Sequence, residues 1–369
     1  MDSFTCKIAQ IGSLFAIDGA FVQGEEIESG HINTTYLASF RTDDGEMNRY
    51  ILQRINEFVF KDPIAVLQNV ARVTKHINRR VLAQKRDASG QTLNLYPSRD
   101  GKFYVRGEGG GVWRCYNFIE GCVTYDVVEN TRQAYQAGKA FGAFQDLLSD
   151  LPIGEIVETI PHFHDTPKRY ARLMEAVQAD PCGRLKNVSD ELSFIHEREA
   201  ETRVLLDHLA AKRLELRVTH NDTKLNNVMI DEMSDEAVCV IDLDTVMPGL
   251  SLYDFGDLVR TATSPVEEDE RDLSKVVMRL GMFEALAEGY YETAGRFLNS
   301  LEKELLPFSG KLITLEVAIR FLTDYLEGDS YFKCHREGQN LDRCRTQIAL
   351  VKSIEEQEEA MKSFVSKLR

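Results

Sequence analysis

Hydrophobic and polar positions alternate along the first third of the chain and follow a helical period along most of the rest. Alternation of apolar with polar residues, with many β-branched and aromatic side chains between turn residues, predicts strands. Six stretches have this pattern: residues 21–27, 32–40, 50–55, 92–96, 103–105 and 113–119. The N-terminal part is therefore expected to be rich in β-sheet.

Helical periodicity first appears after Asp62 and Pro63, where apolar residues recur three or four positions apart as far as Ile77. An Asp followed by a Pro is a typical helix start, because the carboxylate accepts from free N–H groups and Pro lacks one. From residue 131 onward the pattern is mostly helical. The strongest helical segments are residues 135–148, 192–209, 273–291, 301–325 and 347–364, with a strand-rich interruption at 216–241.

This change of pattern near residue 120 predicts an α+β fold with two parts. A β-rich N-terminal lobe is expected over residues 1–120 and a mostly helical lobe over residues 121–369. Ligands often bind where two domains meet, so a cleft between the lobes is the expected position of a site.

The net charge indicates which classes of partner to expect, and the cysteine content indicates the cellular location. The formal net charge of -15 would repel phosphate backbones and anionic lipid headgroups, so neither nucleic acid nor a membrane is expected as a partner. The sequence has no run of about 18 apolar residues and no secretory signal at its start. Its seven cysteines include no C-x-x-C pair, which favours reduced thiols and a cytoplasmic location.

The most closely spaced candidate catalytic residues lie in the strand-rich segment 216–241. The pattern H-x-D-x-K-x-x-N runs from His220 to Asn227 between two strand-like stretches, and Ile241-Asp242-Leu243-Asp244 follows the second. Phosphoryl transfer needs one carboxylate to orient the acceptor hydroxyl and hard oxygen ligands for Mg²⁺. Asp222 suits the first role. Asn227 and Asp242 suit the second.

Lys224 lies two residues beyond Asp222 and is a candidate to neutralise the transferring phosphoryl group. A polar turn joining a hairpin would also explain the asparagines, but it would not explain carboxylates at the ends of apolar stretches. The pattern therefore predicts a kinase that uses ATP and Mg²⁺.

Three further polar positions are interpreted as structural. His220 is expected to brace the loop, because the base in the kinase pattern is the Asp, and Asp254 is expected to brace the same loop. The cluster His162-x-His164-Asp165 lacks the further ligands of a structural metal site and is read as a loop with satisfied histidines.

A candidate nucleotide loop lies at residues 29–36, where Gly30 would let backbone N–H groups approach phosphates. It is not a Walker A loop. Protein kinases carry a lysine on the third strand, whereas Gln53 holds that position here and Arg54 is expected on the other face. The chain near Phe118 and Ile119 is read as a hinge whose backbone would meet adenine.

The loop and the Ile241–Asp244 motif resemble the aminoglycoside phosphotransferase and choline kinase superfamily. Within it, the chain looks like the N-acetylhexosamine 1-kinases nearly from end to end. The motifs that carry the likeness are residues 30–36, 160–167, 218–227, 305–310 and 320–329.

The resemblance implies a protein-kinase-like bilobal fold and transfer of the γ-phosphoryl group of ATP, with Mg²⁺, to the anomeric hydroxyl of N-acetylglucosamine or N-acetylgalactosamine. It implies Asp222 as the base and Asn227 with Asp242 as metal ligands. The expected sugar-site residues are His31, Asp222, Thr223, Asp242, Asp244, Arg320 and Tyr331, and the expected nucleotide-site residues are Gly30, His31, Asn33, Thr34, Gln53, Phe118 and Ile119.

Two alternatives stay open at this point. A related kinase could phosphorylate another alcohol, such as homoserine, choline, a thioribose or an aminoglycoside. A pseudokinase would bind nucleotide without catalysis, although Asp222, Asn227 and Asp242 are all present. The sequence leaves the oligomeric state open.

Overall fold

The computed structural model describes residues 3–27, 32–83, 92–125 and 127–368, with only the backbone described at Ser3 and Phe4. The chain forms two compact units, each assembled from three separate segments. The sheet unit contains Met1–Val123, Asp150–Ile160 and Met229–Met247, and the helical unit contains Thr124–Ser149, Pro161–Val228 and Pro248–Arg369. The predicted α+β class is confirmed.

The sheet unit is built on an antiparallel sheet with the strand order β1-β2-β3-β5-β4. Its strands are β1 (Ala20–Ile27), β2 (Thr34–Arg41), β3 (Met47–Arg54), β4 (Val105–Arg106) and β5 (Val112–Asn117). A second sheet has the order β6-β8-β9, formed by β6 (Cys122–Val123), β8 (Val228–Asp231) and β9 (Ala237–Val240). The predicted strand at 92–96 is wrong, since only Leu95 makes an isolated bridge, to Tyr116.

Two helices accompany the sheets of this unit. The first, α1 (Ser3–Ser13), was not predicted, and its Ile8 and Ile11 join the buried core around Phe40. The second, α2 (Pro63–Ala83), begins as expected: the Asp62 carboxylate accepts a hydrogen bond from the Ala65 N–H at 3.0 Å. Its apolar positions are buried at the predicted spacing.

The helical unit carries the remaining helices of the described chain. They are α3 (Thr131–Leu148), α4 (Thr166–Ala179), α5 (Ser189–His196), α6 (Val204–Ala210), α7 (Ser251–Thr263), α8 (Leu280–Ala294), α9 (Ser300–Glu304), α10 (Leu306–Glu327) and α11 (Gln339–Val365). A short two-stranded sheet pairs β7 (Arg217–Thr219) with β10 (Met247–Gly249).

Two predicted long helices are in fact interrupted. The segment 192–209 forms α5, a 3₁₀ turn at Glu199–Arg203 and then α6, and the segment 301–325 is divided at Leu305 between α9 and α10. The second break has a local cause: Pro307 lies in the first turn of α10, where its missing N–H costs no hydrogen bond. None of the described helices has the length and apolar composition needed to cross a bilayer.

Helices α3 and α8 pack with their backbones unusually close. A Cβ atom added at Gly138 would lie 2.2 Å from the Leu286 carbonyl oxygen, and one at Gly289 would lie 2.1 Å from the Tyr135 carbonyl oxygen. Only glycine is compatible with such an approach. The contact places α3, and with it Gln145, at a defined position beside α7.

Candidate active site

One buried carboxylate holds the loop that follows β7 by hydrogen bonds to its backbone. Asp254, on α7, accepts hydrogen bonds from the backbone N–H of His220 at 3.0 Å and of Asn221 at 2.7 Å. Gln145 donates to the same carboxylate at 2.5 Å, and the Thr223 hydroxyl donates to the Asp254 carbonyl at 2.6 Å. The prediction that Asp254 braces the loop is confirmed.

His220 has the surroundings of a structural side chain. It is fully buried, and its ring meets Phe141 and Phe144 edge-on with centroid distances of 5.3 and 5.7 Å. Its Nδ1 accepts from the backbone N–H of Asp222 at 3.3 Å, which leaves the ring proton on Nε2. These contacts agree with its interpretation as a brace.

Asp222 and Lys224 form an ion pair at the loop's accessible edge. The Lys224 Nζ lies 2.9 Å from Oδ1 and 3.0 Å from Oδ2 of Asp222. Burial by itself would raise the pKa of Asp222, but the attraction of Lys224, with smaller contributions from His220 and Arg260, lowers it below its ordinary value. Asp222 is therefore a carboxylate at neutral pH, able to accept a proton from an alcohol.

Asn227 ends the loop with a defined side-chain orientation. Its Nδ2 donates to the Asp222 carbonyl at 2.9 Å, so the amide oxygen points away from that carbonyl. No donor among the described residues reaches this oxygen. An amide oxygen in that state is a suitable hard ligand for a divalent cation.

In the sheet unit, Asp242 and Asp244 differ sharply in environment. Asp242 follows β9 in the left-handed conformation, with φ 58°, and is exposed. Asp244 is buried and paired with Arg114, whose two terminal nitrogens reach its two oxygens, one of them at 3.0 Å. Asn33 also donates to Asp244, at 2.6 Å.

Gln53 bridges two neighbours on the same face of the sheet. Its Nε2 donates to the Thr35 hydroxyl at 2.9 Å and its Oε1 accepts from Arg114 Nε at 2.9 Å. Arg54 lies opposite Trp113 in the register and is exposed, on the other face as predicted.

The rest of the predicted nucleotide loop is only partly described. Gly30 and His31 lie outside the described residues. Thr34 begins β2 opposite Arg54, and the Asn33 side-chain oxygen accepts from the backbone N–H of Asn56 at 3.0 Å. Contacts of these residues with nucleotide remain predictions.

The predicted hinge follows β5 directly. The Phe118 N–H donates to the Arg49 carbonyl at 3.2 Å, so it is already paired within the sheet unit. Ile119 is buried, and its backbone makes no hydrogen bond with the described residues. If adenine is bound here, the Ile119 backbone is the better-placed partner.

Of the predicted sugar-site residues of the helical unit, Tyr331 lies beside Arg320. The Arg320 guanidinium on α10 lies 5.3, 5.5 and 6.0 Å from the ring centroids of Phe163, Phe332 and Tyr331. It makes no hydrogen bond or ion pair with the described residues, and Tyr331 is 58% exposed. Thr223, by contrast, is buried and its hydroxyl is used by Asp254.

The histidines of the 162–165 segment are satisfied, as predicted. His164 Nδ1 lies 2.8 Å from the buried Glu316, which also accepts from Thr166 at 2.6 Å. His162 lies 3.3 Å from Asp165. No group of three or more His, Cys, Asp or Glu side chains suited to a metal ion occurs in the described part of the chain.

Two features of this site escaped the sequence interpretation. Arg114 was read only as part of a strand, because pairing with Asp244 across 130 positions leaves no local signal. Glu316 lies in an apolar helix, and that unusual setting was a usable signal, since a buried Glu is nearly always paired.

The solved structures to which the chain is similar include phosphotransferases and kinases of small molecules. The chain is similar to an aminoglycoside phosphotransferase from Alicyclobacillus acidocaldarius (11% identity, TM-score 0.62, 97% of this chain and 96% of that chain). It is also similar to an amicoumacin kinase solved with AMP-PNP and Ca²⁺ (14%, 0.59, 95% and 93%). A third is a choline/ethanolamine kinase family protein from Mesorhizobium loti (15%, 0.58, 99% and 98%).

The fold is thus the kinase-like fold of small-molecule phosphotransferases. The sequence itself matches the phosphotransferase enzyme family over residues 23–274, which is more than half of the chain. The protein belongs to that family.

Proposed function

We propose that this phosphotransferase transfers the γ-phosphoryl group of ATP to the anomeric hydroxyl of an N-acetylhexosamine, giving the sugar 1-phosphate. The observation that carries the chemistry is the ion-paired Asp222 on its braced loop. The long motifs shared with the N-acetylhexosamine 1-kinases support the acceptor, above all residues 218–227 and 320–329.

In this proposal Asp222 accepts a hydrogen bond from the anomeric hydroxyl and takes its proton as that oxygen bonds to the γ-phosphorus and the bond from the γ-phosphorus to ADP breaks. The pair with Lys224 keeps the carboxylate ionised before the acceptor arrives. Lys224 Nζ lies within 3.0 Å of both carboxylate oxygens of Asp222, beside which the acceptor hydroxyl would bind. It is therefore proposed to neutralise charge on the transferring group.

Each of the two proposed metal ligands is a hard oxygen donor of the kind that a divalent cation binds. Asn227 presents an amide oxygen and Asp242 an exposed carboxylate, and Mg²⁺ takes few protein ligands because phosphate oxygens and water supply the rest. When bound, the metal would neutralise the β- and γ-phosphate oxygens. Asn33, Thr34, Gln53, Phe118 and Ile119, with Gly30 and His31 outside the described residues, are the proposed surroundings of the nucleotide.

The surroundings of Arg320 favour a neutral acceptor over a cationic one. A second guanidinium, Arg169, is close enough for Arg320 to act on it: burial lowers the pKa of Arg169 and repulsion from Arg320 lowers it further, while Glu316 acts in the opposite direction. Two such cations would repel choline or an aminoglycoside. They would instead attract the carbonyl of an acetamido group, and Tyr331 offers an apolar ring face to a sugar.

A panel of acceptors tests the proposal. ATP consumption with Mg²⁺ is measured for N-acetylglucosamine, N-acetylgalactosamine, glucose, galactose, homoserine, choline and kanamycin, and ³¹P NMR locates the phosphate. We expect turnover of the acetylated sugars to 1-phosphates. Turnover only of another acceptor would retain the kinase and reject the sugar.

The Asp222→Asn variant tests the mechanism. We expect the turnover rate to fall by roughly 10²–10⁴-fold, the usual contribution of a general base. Asp43→Asn, in an exposed turn, is the matched control and should behave as wild type. A pseudokinase would show no turnover with any acceptor, and its Asp222→Asn variant would not differ from it.

A further inference from the structure

A buried arginine stands across the ladder from the position where protein kinases carry a lysine. Gln53, at that position on β3, is the register partner of Arg114 on β5. Directly opposed residues of an antiparallel pair project to the same face about 5 Å apart. A cation moved from position 53 to position 114 therefore stays on the same face and at the same level of the sheet.

The Arg114 guanidinium is held by hydrogen bonds and by an aromatic ring. It donates to Gln53 and, through both terminal nitrogens, to Asp244, and it lies 4.9 Å from the centre of the Tyr116 ring. Its side chain is 1% exposed and that of Asp244 is 3% exposed. A guanidinium buried to this extent acts on a ligand through its neighbours.

Those neighbours belong to two predicted ligand-binding segments. Asp244 follows Asp242 by two residues and also accepts from Asn33, which lies in the described part of the predicted nucleotide loop. Asn33 in turn accepts from the backbone of Asn56. The Arg114 network, defined as Asn33, Gln53, Arg114 and Asp244, therefore ties the start of β2 to the segment that carries Asp242.

The charge balance suits a divalent cation. Asp242 and Asp244 both act electrostatically on Arg114, so one positive charge faces two negative charges. The uncharged Gln53 leaves this balance unchanged, whereas an additional lysine on β3 would cancel the negative charge that attracts the metal ion.

We propose that Arg114 replaces the strand-three lysine as a positioning residue, holding Asp244 so that the Asp242 segment and the start of β2 are arranged for a metal–nucleotide complex. The inference rests on the proposed use of nucleotide and metal. It does not depend on which acceptor is phosphorylated.

An exchange of the two register partners tests this proposal. Affinity for Mg·ATP is measured by titration calorimetry for wild type, Arg114→Gln and the double variant Arg114→Gln/Gln53→Arg, and each protein's thermal midpoint is recorded. We expect Arg114→Gln to weaken Mg·ATP binding by about 10–100-fold, as loss of a group supporting a metal ligand usually does. The exchange should restore most of the affinity, because the cation returns to strand three.

Arg54→Gln is the matched control, since it removes an exposed arginine from the neighbouring position of β3, on the opposite face of the sheet from Gln53. It should bind Mg·ATP as wild type does. The proposal is overturned if Arg114→Gln binds as wild type, or if the exchanged protein fails to fold or regains its thermal midpoint without regaining affinity. If Arg114→Gln does not fold, the comparison of the exchanged protein with wild type decides.

The same titration separates this inference from the proposed function. Wild type that binds no Mg·ATP would remove the nucleotide premise and the proposed function together. Wild type that binds, with an Arg114→Gln variant that binds equally, would remove only the role of Arg114.

Discussion

Asp222 shows how one neighbouring side chain sets the protonation state of a half-buried group. Burial raises its pKa, and Lys224, at 2.9 Å, reverses the direction of the shift. The reciprocal effect holds for Lys224: burial lowers its pKa, and Asp222 raises it above the ordinary value. Both groups are therefore charged across the neutral range.

Lys224→Met should move the acid limb of the pH profile upward. In wild type the carboxylate form is lost only as pH falls below the usual range of an Asp, because the folded pKa is depressed. Without Lys224, burial dominates and the pKa rises, so kcat/KM should begin to fall at higher pH. The measurement is kcat/KM for the acceptor from pH 4.5 to 8.

Lys224→Arg serves as the control, since it retains the positive charge and should keep the wild-type acid limb. An acid limb in Lys224→Met that coincides with wild type would show that Lys224 does not set the pKa of Asp222.

The turn after α10 shows how a single carboxylate can organise a segment. Asp324 accepts hydrogen bonds from the backbone N–H groups of Ser330, Tyr331 and Phe332 at 2.8–2.9 Å, and from Asn340 Nδ2 at 2.8 Å. This arrangement presents Tyr331 beside Arg320, so the geometry of the proposed acceptor site depends on a residue that is itself buried.

Asp324→Asn should raise the KM for the acceptor by about tenfold and leave the KM for ATP unchanged. The neutral amide weakens charge-assisted hydrogen bonds, each of about 1.5–3 kcal/mol. Steady-state kinetics with each substrate varied in turn measure the effect. Glu327→Gln, at the same helix end, is the control; a parallel rise in both KM values would argue against a local effect on the acceptor.

The contact between α3 and α8 predicts a contrast between two glycines of one helix. Gly289→Ala should destabilise the protein by about 1–3 kcal/mol, because its Cβ would meet the Tyr135 carbonyl. Gly281→Ala, where a Cβ has open space, should leave stability unchanged or slightly higher. Thermal unfolding of both variants provides the comparison, and equal midpoints would contradict it.

At the level of the whole molecule, the two units alternate along the chain. Each unit has three segments, so the chain passes between the units five times. Within the sheet unit, segments late in the sequence are bonded to segments early in the sequence. Strand β8 pairs with β6, and the carbonyls of Val157 and Val246 both accept from the Asn69 side chain. The predicted division into a lobe of residues 1–120 and a lobe of residues 121–369 stays a prediction.

A fragment of residues 1–123 should therefore not fold cooperatively. It would lack Asp244, leaving the Arg114 charge buried without its partner, a loss worth about 3–5 kcal/mol in a buried ion pair. Circular dichroism during heating tests this, with the full chain as reference. A sharp unfolding transition of the fragment would show that this unit does not need its later segments.

The sequence by itself determined the class of fold, most of the elements and the loop from His220 to Asn227. These follow from local patterns: alternation predicts β1 to β3, helical spacing after Asp62 predicts α2, and closely spaced polar residues mark the loop. Breaks such as Leu305 were missed, because apolar periodicity continues across them.

Only the tertiary structure decided which groups pair across the chain. Arg114 with Asp244, His164 with Glu316 and Asp254 with the loop join positions 33 to 152 residues apart. Such pairs leave no periodic signal, because their contact depends on how elements pack and not on spacing within one element. These pairs determine which side chains are buried and which partners their polar groups meet.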